Sequence, residues 1–218
     1  MATTMSTQDK KRFVRRLAAT GRGFADQQGF RVTNNPAALF QLLCLSVLLR
    51  RPGDPRRSAR TALALRDAGG DSAARLARSS YESRAALLRA HARRDADELA
   101  TSLGELAVQV TERYGGDLRR LRAVSRYDAA RERVALTRLP AVDDEVVVLF
   151  FREVQALWAE VPPSADRRAL AAARRLGLGR SADDLAALAG GRESERLAWL
   201  VGALAMVDLD NRYRQIAA

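Results

Sequence analysis

The chain has 218 residues, of which 47% are hydrophobic and 29% charged, and its formal net charge is +11. This composition is that of a globular protein rather than a disordered one, and the length suffices for one domain or two small lobes. No apolar run reaches the roughly eighteen residues of a membrane span, and residues 1–16 lack the apolar segment of a secretory signal, so we predict no membrane partner. A single cysteine, Cys44, excludes an internal disulfide and an iron–sulfur cluster held by four thiolates. Because Cys44 lies in an apolar run, we predict that it is a small core residue.

The positive charge and the isoelectric point of about 11.0 predict a polyanionic partner, of which nucleic acid is the commonest. An arginine-rich bias of the source genome would give the same charge without such a partner. Lys10 and Lys11 are the only lysines, and every other basic residue apart from one histidine is arginine. The charge therefore favours nucleic-acid binding and leaves compositional bias as the alternative.

The first half of the chain is predicted to form a series of helices separated by glycine, proline and asparagine. Residues 8–28 form a helix that Gly21 and Gly23 weaken and can break. Asn35 and Pro36 start an almost wholly apolar helix over residues 37–49, which we expect to be buried. Further helices are predicted at residues 57–68, 72–78, 80–91, 95–113, 117–123 and 129–137.

The second half of the chain opens with a predicted helix that precedes Pro162. Its apolar residues are too many to form one narrow stripe, so we expect this helix to be packed on most sides. Phe150 and Trp158 belong to its predicted core. Pro162 and Pro163 end this helix, and Asp166 is the predicted N-cap of the next one. Two more helices are predicted at residues 181–189 and 193–213. Since no segment alternates in polarity, the fold class is all-α.

A series of motifs occupies residues 137–179. It consists of Leu139-Pro140-Ala141-Val142-Asp143, then Asp166, then Arg174-Arg175-Leu176-Gly177-Leu178. The series resembles the hairpin and active-site region of the helix-hairpin-helix (HhH-GPD) DNA glycosylases, the endonuclease III-like superfamily. The family pattern is Leu-Pro-Gly-Val-Gly-x-Lys-Thr-Ala, followed by Val-Asp-x-x-Val-x-Arg and Arg-Leu-Gly-Leu. The resemblance covers roughly residues 35–188, and the segments 114–121 and 151–158 look like a cysteine-poor, actinobacterial-type branch without the iron–sulfur cluster.

The resemblance implies an all-α, two-lobed fold with a central cleft, and duplex DNA as the partner. We predict a central helical lobe over residues 36–138 and a second lobe that contains the hairpin over residues 139–218. Residues 1–35 would supply a tail and a helix that pack with the second lobe. The resemblance further implies a cytoplasmic, nucleoid-associated protein of base-excision repair, which we predict to be a monomer. The sequence suggests no cofactor and no metal ion.

The chemistry of the superfamily is only partly represented in this sequence. In bifunctional members the motif lysine attacks the sugar as an amine nucleophile and forms a Schiff base. Glu145 occupies that position, so lyase chemistry is not expected. Asp166 occupies the position of the family aspartate, which supports proton transfer or stabilises the cationic sugar. If the protein is active, the resemblance implies a monofunctional glycosylase that uses Asp166; a purely structural N-cap is the alternative.

The hairpin itself departs from the family pattern. Ala141 and Asp143 replace the two motif glycines, which let the turn approach a DNA phosphate. Asp143, Asp144 and Glu145 suit a helix N-terminus, but they would repel a phosphate there. The hairpin is therefore either a working phosphate site or a fold element whose anion site is filled by its own side chains. The candidate DNA-binding residues are Leu139, Pro140, Ala141, Val142, Asp143, Arg50, Arg51, Arg93, Arg94, Arg167 and Arg168.

Three functions remain open from the sequence. The first is a DNA glycosylase that works without a Schiff-base lysine. The second is a catalytically inactive relative that binds duplex DNA without sequence preference, with an affinity that falls steeply with salt. The third is a helical protein-interaction scaffold that retains only the fold.

Overall fold

The computed structural model describes residues 5–91, 93–191 and 195–217, and these ranges contain helices and no β-strand. The all-α prediction is confirmed. A 3₁₀ turn covers Ala18–Thr20 and a π-helical turn covers Arg66–Gly70. None of the helices in the described ranges has the length and apolar character needed to cross a membrane. The α-helices in these ranges are α1 (Thr7–Leu17), α2 (Phe24–Gln27), α3 (Pro36–Arg50), α4 (Pro55–Leu65), α5 (Ala73–Arg78), α6 (Tyr81–Ala90), α7 (Ala96–Tyr114), α8 (Leu118–Val124), α9 (Ala129–Thr137), α10 (Asp144–Val154), α11 (Arg167–Arg175), α12 (Ala182–Ala189), α13 (Glu195–Asp210) and α14 (Tyr213–Ala217).

The chain divides into two compact units. The central unit is Gln28–Phe150, and the outer unit combines Met1–Gln27 with Phe151–Ala218. The division falls within α10. The lobes proposed from the sequence, with boundaries at residues 35/36 and 138/139, stay a prediction.

The central unit is built around α3. Asn35 caps this helix, because its side-chain oxygen accepts a hydrogen bond from the N–H of Ala38 at 2.9 Å, and Pro36 occupies the first turn, where no N–H is needed. The side chains from Ala38 to Leu48 are buried except that of Gln41, and α3 packs against α4 and α8. The long helix α7 packs against α5 and α6. Cys44 is buried, which confirms its predicted core position, and burial raises the pKa of its thiol to about 12.

The outer unit is built around α13, which packs against α11, α12, α1 and α2. A glycine at position 202 allows the backbone at the start of α2 to approach closely. A Cβ atom on Gly202 would lie 2.4 Å from the backbone nitrogen of Phe24, a distance that no side chain tolerates. Trp158 is fully buried in this unit, and Phe150 is fully buried at the end of the central unit, so the prediction that both are core residues is confirmed.

The two largest differences between predicted and observed helix boundaries lie before residue 28 and before Pro162. The predicted helix over residues 8–28 breaks after Leu17, and Gly21 is left-handed with φ 61°. The helix predicted to run up to Pro162 ends at Val154. The side chain of Gln155 explains the second difference, because its amide donates to the carbonyls of Arg152 and Ser164 and accepts from the N–H of Ser164. These bonds satisfy backbone groups that a longer helix would have satisfied itself.

Candidate nucleic-acid interface

The turn of the predicted hairpin is formed in the central unit. After α9 ends at Thr137, the N–H of Val142 donates to the carbonyl of Leu139 at 3.2 Å and closes a tight turn. Ala141 within this turn has φ 60°, the left-handed conformation that favours glycine. Ala141 stands at the first glycine position of the motif pattern. The turn is thus formed with a residue for which this conformation costs about 1–2 kcal/mol.

The N-terminus of α10 is occupied by the protein's own carboxylate. Asp143 Oδ1 accepts a hydrogen bond from the N–H of Val146 at 2.9 Å. Burial alone would raise the pKa of Asp143, but the hydrogen bond from Val146 and the guanidinium of Arg50 more than offset that effect, so the pKa lies below its ordinary value. Asp143 therefore remains ionised and acts as an internal anion at the end of the helix dipole.

Arginines accompany the three carboxylates at this end of α10. Arg50 Nε lies 2.8 Å from Asp143 Oδ2 and 3.1 Å from Glu145 Oε2. Asp144 accepts a hydrogen bond from Arg133 Nη1 at 2.9 Å. Glu145, at the lysine position of the pattern, has a half-exposed side chain. Because these pairs are exposed to solvent, each contributes little to stability, but together they reduce the negative potential of the turn.

A groove lined by arginines begins beside the hairpin. One concavity of about 360 Å³ is lined by the hairpin residues Leu139, Ala141, Val142 and Asp143 together with Arg50, Arg51 and Pro52. A second concavity of about 520 Å³ is lined by Arg51, Pro52, Gly53, Arg57, Arg93, Arg94 and Asp95. Because they share Arg51 and Pro52, the two concavities adjoin, and we call them together the arginine groove. The structure thus brings the predicted Arg50, Arg51, Arg93 and Arg94 together with the hairpin.

The arginines of the groove differ in their availability to a ligand. The side chain of Arg93 is only 4% exposed, and it donates two hydrogen bonds of 3.0 and 2.9 Å to Asp95. Arg93 therefore stabilises the protein and is not available to a ligand. Arg51 Nη1 lies 2.7 Å from Glu98. Arg57 and Arg94 are exposed, and neither forms an ion pair with a residue that the structure describes. These two guanidiniums are the ones free to meet an anion. Arg57 was not among the sequence-based candidates, although its position just after the Pro52–Pro55 turn was a usable signal.

Asp166 lies in the outer unit and is buried, with its carboxylate bound on both oxygens. Oδ1 accepts from the N–H of Ala169 at 2.8 Å, so the residue is the N-cap of α11 as the sequence indicates. Oδ2 accepts from Arg152 Nη1. The side chain of Asp166 is 9% exposed and that of Arg152 is 2% exposed. The carboxylate therefore has no free oxygen directed to solvent.

Arg152 is the centre of a buried charge network that the sequence-based reasoning missed. Its Nε donates to Glu153 Oε1 at 2.6 Å, and its guanidinium lies 4.4 Å from the ring centroid of Phe24. Glu153 Oε2 in turn accepts from the N–H of Ala25 at 3.1 Å. The available signal was the pair Arg152-Glu153 within an otherwise apolar stretch, because buried charges are rare unless they are paired.

The remaining predicted DNA contacts lie on the first turn of α11. Arg167 is exposed, whereas Arg168 Nη1 lies 3.1 Å from Asp208 Oδ2. Within the residues described, no three metal-ligating side chains come together in a way that could hold an ion.

Comparisons with known proteins define the fold. No protein-family model matches the chain, and no curated protein sequence matches it. Among solved structures it is similar to a chain from the structure of a non-covalent endonuclease III–DNA complex, with a TM-score of 0.59 and 14% sequence identity over 93% of this chain and 86% of that one. It is also similar to the structure of a trapped endonuclease III–DNA covalent intermediate, the estranged-adenine complex, with a TM-score of 0.56, 15% identity and the same coverage. The protein therefore has the all-α helix-hairpin-helix fold of endonuclease III, as the motif series predicts.

Proposed function

We propose that this protein binds duplex DNA through the arginine groove and does not hydrolyse glycosidic bonds through Asp166. It would be a binding protein with the endonuclease III fold rather than a repair glycosylase. In this proposal it belongs to a branch without the iron–sulfur cluster and acts as a monomer on the nucleoid.

The observation that carries DNA binding is the arginine groove beside the hairpin. Phosphate groups are bound by exposed guanidiniums with planar, paired donors, and Arg57 and Arg94 meet that requirement. The net charge of +11 adds long-range attraction to a polyanion. Two structures with the same fold are DNA complexes, which supports the same partner for this chain. Among the residues that the structure describes, none with an aromatic side chain lines the two concavities, so base stacking is not part of the proposed contact.

The observation against hydrolysis is that both carboxylate oxygens of Asp166 accept hydrogen bonds within the protein. A carboxylate that activates water or faces a cationic sugar must approach the reacting atoms within hydrogen-bond distance. In this structure both oxygens are already engaged, and one of them is paired with the buried Arg152. Glu145 cannot form a Schiff base, and the central unit contains no lysine. We therefore assign Asp166 a structural role.

The proposed function is tested by fluorescence anisotropy with an undamaged labelled duplex between about 50 and 200 mM salt. The logarithm of the association constant should fall linearly with the logarithm of the salt concentration. The slope should be about −2 or steeper, because each neutralised phosphate contributes about −0.9. Duplexes of unrelated sequence should bind equally well. Absent binding, or binding that does not respond to salt, would contradict the proposal and favour the protein-interaction scaffold.

A further inference from the structure

A second cluster of cations lies in the outer unit. A concavity of about 570 Å³ is lined by Lys10 from α1, Arg174 from α11, Gly177 and Gly179 from the following loop, and Arg180 at the start of α12. We call it the basic pocket. Three cationic side chains thus line one concavity, and none of the described residues that line it is acidic.

The three cations form no close ion pair with the described part of the protein. None of Lys10, Arg174 and Arg180 forms an ion pair within residues 5–91, 93–191 and 195–217. The neighbouring Arg175 behaves differently, because its guanidinium stacks on the ring of Tyr213 at 3.9 Å. Like charges that converge without a counter-ion repel one another, and a bound anion would relieve that repulsion.

The acidic side chain of Asp184, close to Arg180, takes part in a helix cap. Asp184 Oδ2 accepts hydrogen bonds from the backbone N–H groups of Arg180 at 2.7 Å and of Ser181 at 3.0 Å. These bonds lower the pKa of Asp184, so it remains ionised in the capping box that it forms with Ser181 at the start of α12. Its hydrogen bonds go to the backbone, and the guanidinium of Arg180 forms no ion pair with it, although the two charges attract each other at longer range.

The loop between α11 and α12 leaves the pocket open. Gly177 has φ 68°, and a Cβ atom built on it would meet nothing within 4 Å. Its N–H donates to the carbonyl of Arg174 at 3.1 Å, so this backbone group is not available to a ligand, whereas the three cationic side chains are. None of the described residues that line the pocket is aromatic, so the pocket offers no ring on which a base could stack. Two guanidiniums and one ammonium on an open surface are suited to oxygen-rich anions with several negative charges.

We propose that the basic pocket binds backbone phosphates of nucleic acid and is a second DNA contact besides the arginine groove. This inference rests on the proposed function. Because phosphates carry no sequence information, the pocket would add affinity and orientation without adding sequence preference. Its contribution should be visible as part of the salt dependence of binding.

The first test compares two triple variants of equal charge. Lys10→Gln, Arg174→Gln and Arg180→Gln remove the pocket cations, whereas Lys11→Gln, Arg15→Gln and Arg214→Gln remove three exposed cations that do not line it. The pocket variant should bind duplex DNA at least about tenfold more weakly than the control variant, with a salt slope shallower by about 2. Equal affinities and equal salt slopes of the two variants would overturn the proposal that the basic pocket binds DNA, and would leave the proposed function intact. If the wild-type protein bound no duplex, the proposed function would fail, and the pocket proposal with it.

The second test uses the fact that the chain has only two lysines, Lys10 and Lys11. The wild-type protein is acylated with an amine-reactive reagent, alone, with duplex DNA and with inorganic pyrophosphate, and the two lysines are compared by mass spectrometry. Duplex DNA should protect Lys10 and leave Lys11 reactive. Equal protection of both lysines would contradict the proposal. Protection of Lys10 by pyrophosphate but not by DNA would also overturn it, because the pocket would then hold a small free anion.

Discussion

Arg152 donates a hydrogen bond from Nη1 to Oδ2 of Asp166, in a site where the two side chains are only 2% and 9% exposed. Breaking such a pair leaves an uncompensated buried charge, which costs far more than the loss of an exposed pair. Asp166 is thus held by the protein itself, although its place in the motif series is that of a family aspartate. This buried pair and the neighbouring Glu153 lead to the first two predictions.

Replacing Asp166 with asparagine should destabilise the protein by about 3 kcal/mol, because Arg152 would keep only Glu153 as a charged partner. The free energy of unfolding is measured by urea denaturation. Asp184→Asn is the matched control, since Asp184 also accepts backbone N–H bonds at a helix N-terminus, as the third helical residue in the capping box of α12, but lies at the surface, and it should cost far less. Equal, small losses in both variants would show that the Arg152–Asp166 pair is not structural.

Glu153 should make the stability depend on pH. Burial raises the pKa of Glu153 above its ordinary value of 4.5, and the guanidinium of Arg152 opposes this only in part. Since the folded-state pKa is the higher one, the stabilising contribution is complete below the unfolded-state pKa and is lost as the pH rises through the folded-state pKa. The free energy of unfolding should therefore decline above pH 4.5 until the folded-state pKa is passed, by at most about 1.4 kcal/mol per pH unit.

The contribution of Glu153 is isolated by urea denaturation at several pH values in matched variants. Glu153→Gln should remove most of the decline, while Glu105→Gln, at an exposed position on α7, should leave it unchanged. A pH profile that is the same in Glu153→Gln and the wild-type protein would contradict the assignment.

Replacing Ala141 with glycine should stabilise the protein by about 0.5–1 kcal/mol. The gain is the relief of the left-handed conformation, reduced by the greater freedom of glycine in the unfolded chain. Ala171→Gly, at an exposed interior position of α11, is the control and should destabilise by about 1 kcal/mol. The two variants are compared by thermal and urea unfolding, and a loss of stability in both would mean that the hairpin is not strained at Ala141.

Removing the two free guanidiniums of the arginine groove should weaken DNA binding. Arg57→Gln with Arg94→Gln should reduce the affinity for duplex DNA about tenfold or more at low salt and make the salt slope shallower by about 2. The control is Arg113→Gln with Arg214→Gln, which removes the same charge at exposed positions that do not line the groove. If both double variants lost affinity equally, net charge alone would account for binding, as expected from compositional bias.

The sequence predicted the parts of this protein that depend on neighbours along the chain. Asn35 and Asp166 cap their helices as expected, and Leu139-Pro140-Ala141-Val142 forms the expected turn, because caps and turns are specified by adjacent residues. The partner of Asp166 could not be predicted in this way, since Arg152 reaches it from another helix through the tertiary fold.

The arginines of the groove also show that tertiary contacts are not predictable from neighbours along the chain. Arg93 and Arg94 are adjacent and look alike in the sequence, yet Arg93 is buried against Asp95 while Arg94 is exposed. Which of two neighbouring cations faces solvent depends on packing that a single sequence does not reveal.

DNA binding without base hydrolysis is tested by measuring binding and base release in the same samples. The wild-type protein is incubated with duplexes that carry uracil, alkylated or oxidised bases; one portion is analysed for retained DNA, and the other is treated with alkali to cleave abasic sites. We expect every duplex, damaged or not, to be bound and to remain uncleaved. Release of a base from any of these duplexes by the wild-type protein, or failure to bind them, would contradict the proposed function.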